Sequence, residues 1–229
     1  MSKVVAITGA FGNLGAVVAR RFVQDGWSAA LIGHSTAPPA LGREFGAQLL
    51  LAGVDVADLP AARDAVEQIV ARYGTLDALI NVAGGFVWQK HADGDPETWD
   101  RMYKLNLRTA VTMCKAALDA LASSGRSTIV NVAAAGAVKA SAGMGPYAAS
   151  KSGVMRLTEA LADELKDRGV TVNAVLPSII DTPQNRSDMA KADFARWVKP
   201  ESIAELVLFL ASDGARDITG ALIPITGRV

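Results

Sequence analysis

Two side chains that could transfer a proton lie four positions apart in one predicted helix, Tyr147 and Lys151. Residues at this spacing share a helix face. A free tyrosine has a pKa near ~10 and exchanges protons poorly at neutral pH. An ammonium group about 4 Å away, at an effective dielectric constant of ~20, would lower that pKa by ~3 before desolvation is counted. The pair predicts a general acid or base, although a tyrosine packed in the core is the alternative.

A glycine-rich loop near the N-terminus is the second feature that could do chemistry. It runs from Thr8 to Gly15 in a GxxGxxG pattern, between a predicted strand and a predicted helix. Glycine lets the backbone approach a pyrophosphate, and a helix N-terminus offers free N–H groups and a positive dipole end. The loop lacks the Gly-Lys-Ser/Thr ending of nucleoside-triphosphatase loops. It predicts dinucleotide binding, although a tight turn that only packs closely would need similar glycines.

Seven short apolar runs are predicted to form the strands that position these features. They are nearly continuous in hydrophobicity rather than alternating, which is typical of strands buried on both faces. The runs are Val4–Thr8, Ala29–Ile32, Leu49–Val54, Ala78–Val82, Thr128–Ala133, Val170–Leu176 and Ala221–Ile225. Amphipathic helices are predicted between them, the longest from about Pro96 to Leu121. We therefore predict an α/β fold in one domain over residues 1–229, a Rossmann-type doubly wound parallel sheet of seven strands with helices on both faces.

The composition excludes several classes of function. Lys and Arg together number 23, as do Asp and Glu, so the formal net charge is zero and no basic field attracts nucleic acid or an anionic membrane. One cysteine, Cys114, and two distant histidines nearly exclude a zinc site. The chain shows no signal-peptide pattern and no apolar run of about 18 residues. We expect a cytoplasmic protein with no metal and with neither a membrane nor a nucleic acid as partner.

Five segments, in order, resemble motifs of the short-chain dehydrogenase/reductase family over nearly the whole chain. They are the glycine loop, Asp55-Val56, Asn81-Val82-Ala83-Gly84, Tyr147-Ala148-Ala149-Ser150-Lys151, and the stretch from Pro177 to Thr182. Asn106 matches the helix asparagine of the family's active site. The resemblance implies that Tyr147, Lys151 and Asn106 are catalytic. Lys151 would also hold the nicotinamide ribose, and Asn106 would support a water that relays protons, unless it only bonds locally to backbone.

The same resemblance implies a set of cofactor-binding residues, spread over five strand ends and the catalytic helix. They are Gly9, Phe11, Gly12, Asn13, Leu14, Gly15, His34, Ser35, Asp55, Val56, Asn81, Ala83, Gly84, Tyr147, Lys151, Pro177, Ile179, Ile180 and Thr182.

The end of the second predicted strand bears on the choice of cofactor. An acidic residue there binds the ribose hydroxyls and selects NAD. Gly33 occupies that position, so no carboxylate repels a 2′-phosphate, and His34 and Ser35 can donate hydrogen bonds to one. We therefore favour NADP(H) over NAD(H), with loose specificity as the alternative.

Two departures from the family pattern bear on the reaction. Asn13 replaces a loop glycine, and Ala134 stands where the family has its catalytic serine. One oxyanion-stabilising donor typically contributes ~10²–10³ in rate. Three explanations stay open: a quinonoid or iminium substrate that disperses charge, replacement of the hydroxyl by Ser141, or a protein that binds cofactor and catalyses little.

Both departures resemble the dihydropteridine reductase-like subgroup, as does the stretch from Leu176 to Trp197. The predicted activity is hydride transfer to a carbonyl or a conjugated C=N or quinonoid small molecule, with Tyr147 as proton donor. The alternative is a catalytically weak NADP(H)-binding sensor. The family resemblance also implies a homodimer or homotetramer.

Overall fold

Seven parallel strands form one sheet in the computed structural model, which describes residues 2–229. The strands are β1 (Val4–Thr8), β2 (Ser28–Gly33), β3 (Leu49–Ala52), β4 (Ala78–Asn81), β5 (Ser127–Val132), β6 (Val170–Pro177) and β7 (Leu222–Ile225). The helices are α1 (Asn13–Gln24), α2 (Pro39–Glu44), α3 (Leu59–Tyr73), α4 (Glu97–Met102), α5 (Thr109–Ser124), α6 (Gly145–Leu165), α7 (Pro183–Asp188) and α8 (Pro200–Leu210). All seven predicted strands are present, and their ends differ from the predicted ones by at most two residues.

The strand order places a crevice at the carboxyl ends of β1 and β4. The order is β3-β2-β1-β4-β5-β6-β7, so the chain reverses its direction of travel across the sheet between β1 and β4. Ligands of doubly wound folds bind outside the strand ends at such a reversal. The Thr8 hydroxyl ties the two ends together by accepting hydrogen bonds from the N–H groups of Val82 and Ala83, both at 3.2 Å.

Helices cover both faces of the sheet because each presents an apolar stripe to buried strand residues. Val18 and Phe22 of α1 pack with Ile203 and Val207 of α8 on one face. On the other face, α3, α5 and α6 contribute a second cluster that includes Ile69, Met113 and Leu161. The predicted Rossmann-type fold is confirmed.

The long helix predicted from about Pro96 to Leu121 differs from expectation in its middle. A π-helical segment, Tyr103–Arg108, joins α4 to α5. Wide turns of this kind are frequent at functional sites. The segment contains Asn106, whose side chain is turned inward and is 1% exposed.

Candidate active site

The glycine loop packs closely against the chain after β4 and leaves backbone N–H groups open at the start of α1. Gly9 has a φ of +65°, and a Cβ atom there would lie 2.8 Å from the backbone nitrogen of Ala83. A Cβ on Gly15 would lie 2.2 Å from the carbonyl oxygen of Gly9. Gly12 precedes α1 and provides no side-chain cap, so the first N–H groups of the helix stay available. This cradle fits the pyrophosphate of a dinucleotide.

A cavity of about 450 Å³ continues from the glycine loop to the ends of β2 and β3. Its lining includes six predicted cofactor-binding residues, Gly9, His34, Asp55, Val56, Ala83 and Gly84, and also Gly33 of β2. The Asp55 carboxylate accepts a hydrogen bond from the Ala57 N–H at 3.0 Å, which lowers the pKa of Asp55. Lys104 lies 3.4 Å from the same carboxylate. The cavity therefore contains both a hydrogen-bonding carboxylate and cationic groups.

Tyr147 and Lys151 lie on α6, whose first turn contains Pro146, a residue suited to that position. The Tyr147 ring makes an edge-to-face contact with Phe86, with centroids 5.0 Å apart. Lys151 is 5% exposed, and its ammonium group donates a hydrogen bond to the carbonyl oxygen of Val132 at 2.7 Å. The side chains thus lie on the helix face predicted from their spacing.

The expected lowering of the pKa of Tyr147 does not occur in the protein alone. Burial raises the pKa of Tyr147 to about 12 and lowers the pKa of Lys151 to about 8. Desolvation disfavours both charged forms, and the ammonium is directed at Val132 rather than at the phenol. Tyr147 is therefore protonated at neutral pH, which suits a proton donor.

Asn106 holds the turn after β4. Its Oδ1 accepts from the Gly85 N–H at 2.9 Å, and its Nδ2 donates to the Gly85 carbonyl at 3.1 Å and to the Ser150 hydroxyl at 3.0 Å. A Cβ on Gly84 would lie 2.5 Å from Oδ1 of Asn106 and 3.2 Å from Nζ of Lys151. The side chain thus joins the turn to α6 next to Lys151. Its predicted support of a water stays a prediction.

Ala134 and Ser141 lie in different environments. Ala134 is 4% exposed and belongs to a small apolar cluster against which Tyr147 packs. Ser141 is exposed in the loop before α6. The position that lacks the hydroxyl, Ala134, is therefore next to Tyr147, whereas Ser141, which could replace that hydroxyl, is on the surface.

The side chain of Asn81 points into the protein interior. It is 4% exposed and donates to Oδ1 of Asn131 at 2.9 Å and to Sγ of Cys114 at 3.3 Å. Burial raises the pKa of the Cys114 thiol to about 12. Asn81 does not line the 450 Å³ cavity, so its carboxamide supports β4 and β5.

The segment after β6 carries the remaining predicted residues, Pro177, Ile179, Ile180 and Thr182. The Thr182 hydroxyl caps α7 by accepting from the Asn185 N–H at 3.2 Å. The Ile179 carbonyl accepts from the Val198 N–H at 3.0 Å, which closes residues 179–198 into a compact loop. Thr182 and Asn13 line a common cavity, so this loop and the glycine loop face each other.

A nearly buried carboxylate fixes this loop. The Asp181 side chain is 4% exposed and accepts from Nε and Nη2 of Arg186 at 2.5 and 2.9 Å, as well as from Lys199. These hydrogen bonds lower the pKa of Asp181. The Arg186 guanidinium also lies 5.0 Å from the centre of the Phe194 ring, which packs against the buried Trp197.

Several residues at the site were missed by sequence reasoning. Arg101 and Lys104 line the 450 Å³ cavity, and Ser150 anchors Asn106. Arg101 and Lys104 lie three positions apart in one continuous helical stretch, and this spacing could have predicted that they share a face. Nothing local indicated that Ser150 would contact Asn106, because they are 44 residues apart in the chain.

Residues 2–229 contain neither a helix suited to a membrane span nor a group of side chains suited to a metal centre. No helix in this range is both long and apolar enough to cross a membrane. In the same range, no three His, Cys, Asp or Glu side chains are grouped in a way that could hold a metal ion.

Comparisons with known proteins agree with the motifs. The family model for short chain dehydrogenase matches residues 3–193. The chain is 31% identical to the 3-oxoacyl-(acyl-carrier-protein) reductase of Thermotoga maritima, covering 98% of this chain and 96% of the relative. It is 32% identical to a 2,5-dichloro-2,5-cyclohexadiene-1,4-diol dehydrogenase of Sphingobium indicum, covering 98% and 95%. It is 29% identical to the 7alpha-hydroxysteroid dehydrogenase of Bacteroides fragilis, covering 99% and 93%.

These relatives are named as reductases or dehydrogenases, so they give no support to a sensor without activity. Their names also do not point to the dihydropteridine reductase-like subgroup. Sheet order, glycine loop, Tyr147–Lys151 pair and family match agree with one another. The chain belongs to the short-chain dehydrogenase/reductase family of NAD(P)(H)-dependent oxidoreductases.

Proposed function

We propose that this chain is an NADP(H)-dependent oxidoreductase that transfers hydride to a carbonyl, or to a conjugated C=N or quinonoid carbon, of a small molecule. The observation that carries the proposal is the arrangement of Tyr147, Lys151 and Gly84. A protonated, half-buried phenol lies one helical turn from a buried ammonium, which faces the turn after β4. A proton donor therefore stands at the sheet edge where the glycine loop would hold a dinucleotide.

NADP(H), when bound, supplies the hydride. The open backbone of the glycine loop binds the pyrophosphate, and Asp55 accepts a hydrogen bond from the adenine. Tyr147 donates its proton to the substrate atom that gains negative charge. Lys151, with a pKa of about 8, is still largely protonated at neutral pH and stabilises the tyrosinate that is left. Asn106 keeps the turn at Gly84 and Gly85 in place beside both groups.

The charges near the end of β2 support the preference for NADP(H). Gly33 brings no carboxylate to the cavity, and His34 follows it at the exposed rim. Arg101 and Lys104 outnumber the single acidic residue of the lining, Asp55. A 2′-phosphate gains from such an excess of positive charge, whereas the ribose hydroxyls of NAD(H) find no acidic partner at residue 33.

The residues around Tyr147 favour a planar, conjugated substrate. Phe86, which contacts the Tyr147 ring, and Trp88, which lies against Gly143, are each 55% exposed. Trp99 lies against Gly145 and is 41% exposed, so exposed aromatic rings surround the start of α6. Exposed aromatic surface next to a polar group is typical of a ligand site. A conjugated acceptor also disperses negative charge, which compensates for Ala134. The resemblance of Leu176 to Trp197 to the dihydropteridine reductase-like subgroup makes quinonoid dihydropterin the first compound to test.

The test is a screen of NADPH oxidation at 340 nm with quinonoid dihydropterin, quinones and simple ketones, repeated with NADH. The proposal expects turnover of a conjugated acceptor and a higher kcat/KM with NADPH. Tight NADPH binding by calorimetry without turnover of any acceptor class would favour the sensor instead. Preference for NADH would contradict the cofactor assignment alone.

We further propose a homodimer or homotetramer and a cytoplasmic location. Tyr103 and Val111 of the π-helical segment and α5 are 50% and 38% exposed, which leaves apolar surface for a second copy. Light scattering on the purified protein measures its mass in solution. The mass of a single chain would contradict the proposal of an oligomer. Fractionation of the source cells tests the location.

A further inference from the structure

The Phe11 ring occupies the space that a side chain at residue 33 would need. A Cβ atom on Gly33 would lie 2.1 Å from Cδ2, 2.5 Å from Cε2 and 2.7 Å from Cγ of Phe11. Real Cβ atoms do not approach other atoms this closely, so any larger residue at 33 must displace the ring. The φ angle of Gly33 is not in the left-handed region, so the obstacle is the ring and not the backbone.

The ring is not a freely moving surface group. Phe11 is half-buried and packs against the core cluster that α1 shares with β1 and β2. It lies in the glycine loop, and hydrogen bonds fix the loop on both sides of the ring. The Ala10 N–H donates to the Ile32 carbonyl and the Gly12 N–H donates to the Gly9 carbonyl, both at 3.1 Å. Displacing the ring would expose apolar surface or strain the cradle that holds the pyrophosphate.

We propose that Phe11 and Gly33 act together as the cofactor-selecting element. The phenyl ring fills the position from which an acidic side chain would bind the ribose hydroxyls, so an acidic residue at 33 alone cannot reach them. This inference rests on the proposed function, because it concerns how the same site chooses between NADP(H) and NAD(H). It predicts that selectivity is a property of the pair and not of Gly33 alone.

The experiment is a double-mutant cycle of wild type, Phe11→Ala, Gly33→Asp and the double variant. Dissociation constants for NADP⁺ and NAD⁺ are measured by calorimetry, which needs no substrate. Phe11→Ala alone should still prefer NADP⁺, since no carboxylate is gained. Gly33→Asp alone should weaken the binding of both cofactors at least about tenfold. The double variant should bind NAD⁺ at least about tenfold more tightly than Gly33→Asp does, the size of one charge-assisted hydrogen bond, and should prefer NAD⁺.

Two controls separate the ring from charge and from folding. Gly42→Asp adds the same carboxylate to α2, where nothing lies within 4 Å of the new Cβ, and should leave both constants unchanged. Gly33→Ala brings the steric conflict without the charge, so it should weaken both cofactors alike, and Phe11→Ala should relieve that loss. Circular dichroism melting curves identify any variant that does not fold. If an aspartate variant does not fold, the comparison of Gly33→Ala with and without Phe11→Ala tests the inference instead.

The inference is wrong if Gly33→Asp alone gains as strong a preference for NAD⁺ as the double variant does, because the Phe11 ring would then have no effect on selectivity. A wild type that prefers NAD⁺ would overturn both this inference and the cofactor assignment. A wild type that prefers NADP⁺ but shows no coupling between the two positions would overturn the inference and leave the proposed function intact.

Discussion

Replacing Lys151 with methionine should remove a pH-dependent penalty on folding. Burial lowers the pKa of Lys151 from 10.5 to about 8 in the folded chain. Between these values the unfolded chain keeps the proton and the folded chain has lost it, so wild-type stability rises with pH in this window. Below about pH 8 the folded protein carries the full cost of the buried ammonium. Methionine has a similar length and cannot titrate.

The size of the effect follows from the two pKa values. The complete window is worth roughly 3 kcal/mol, at 1.36 kcal/mol for each pKa unit. Wild type should gain about 1 kcal/mol between pH 7 and 9 and about 2 to 3 kcal/mol by pH 10, and the variant should gain neither. The advantage of Lys151→Met over wild type should therefore shrink by these amounts. Titration of other groups cancels in the difference because both proteins contain them.

Urea unfolding followed by tryptophan fluorescence measures this difference, since the chain has four tryptophans. The measurement is made without cofactor at pH 7, 8, 9 and 10. Lys139→Met, which removes the same charge from an exposed loop, is the matched control and should not show the trend. A difference between Lys151→Met and wild type that stays constant over this range would refute the reasoning, because Lys151 would then have the same pKa folded and unfolded.

Four further predictions concern the reaction and the loop after β6. Tyr147→Phe should lower turnover at least ~10²-fold with cofactor affinity nearly unchanged, the usual size of a general-acid contribution, and stopped-flow reduction with parallel calorimetry measures both. Ala134→Ser should raise reduction of simple ketones ~10-fold or more and hardly change that of a quinonoid substrate, because only the ketone needs an oxyanion donor. Ser141→Ala should cost almost nothing if the exposed Ser141 is only a surface residue, whereas a ~10²-fold loss of kcat would identify it as the missing donor. Asp181→Asn should lower the melting temperature and speed proteolysis within residues 183–199, because Arg186 and Lys199 lose their shared carboxylate; an unchanged cleavage rate would contradict this role.

The fold and much of the site could be predicted from local patterns. The strands were identifiable because β strands buried on both faces need continuous apolar runs, and these runs are contiguous in the sequence. The glycine loop and the Tyr147–Lys151 pair were identifiable for the same reason, since each depends on the spacing of neighbouring residues. The alternation of strands and helices then determined the parallel sheet.

Features that depend on distant segments needed the tertiary structure. The direction of the pKa change of Tyr147 was predicted wrongly, because burial by other elements outweighs an ammonium that turns to the Val132 carbonyl. Asn106 bonds to the turn after β4 and to Ser150 of α6, contacts that no local pattern encodes. Phe11 meets Gly33 only because β1 and β2 pair in parallel and end side by side. Secondary structure and loop chemistry are set by neighbours in sequence, whereas desolvation and side-chain contacts are set by neighbours in space.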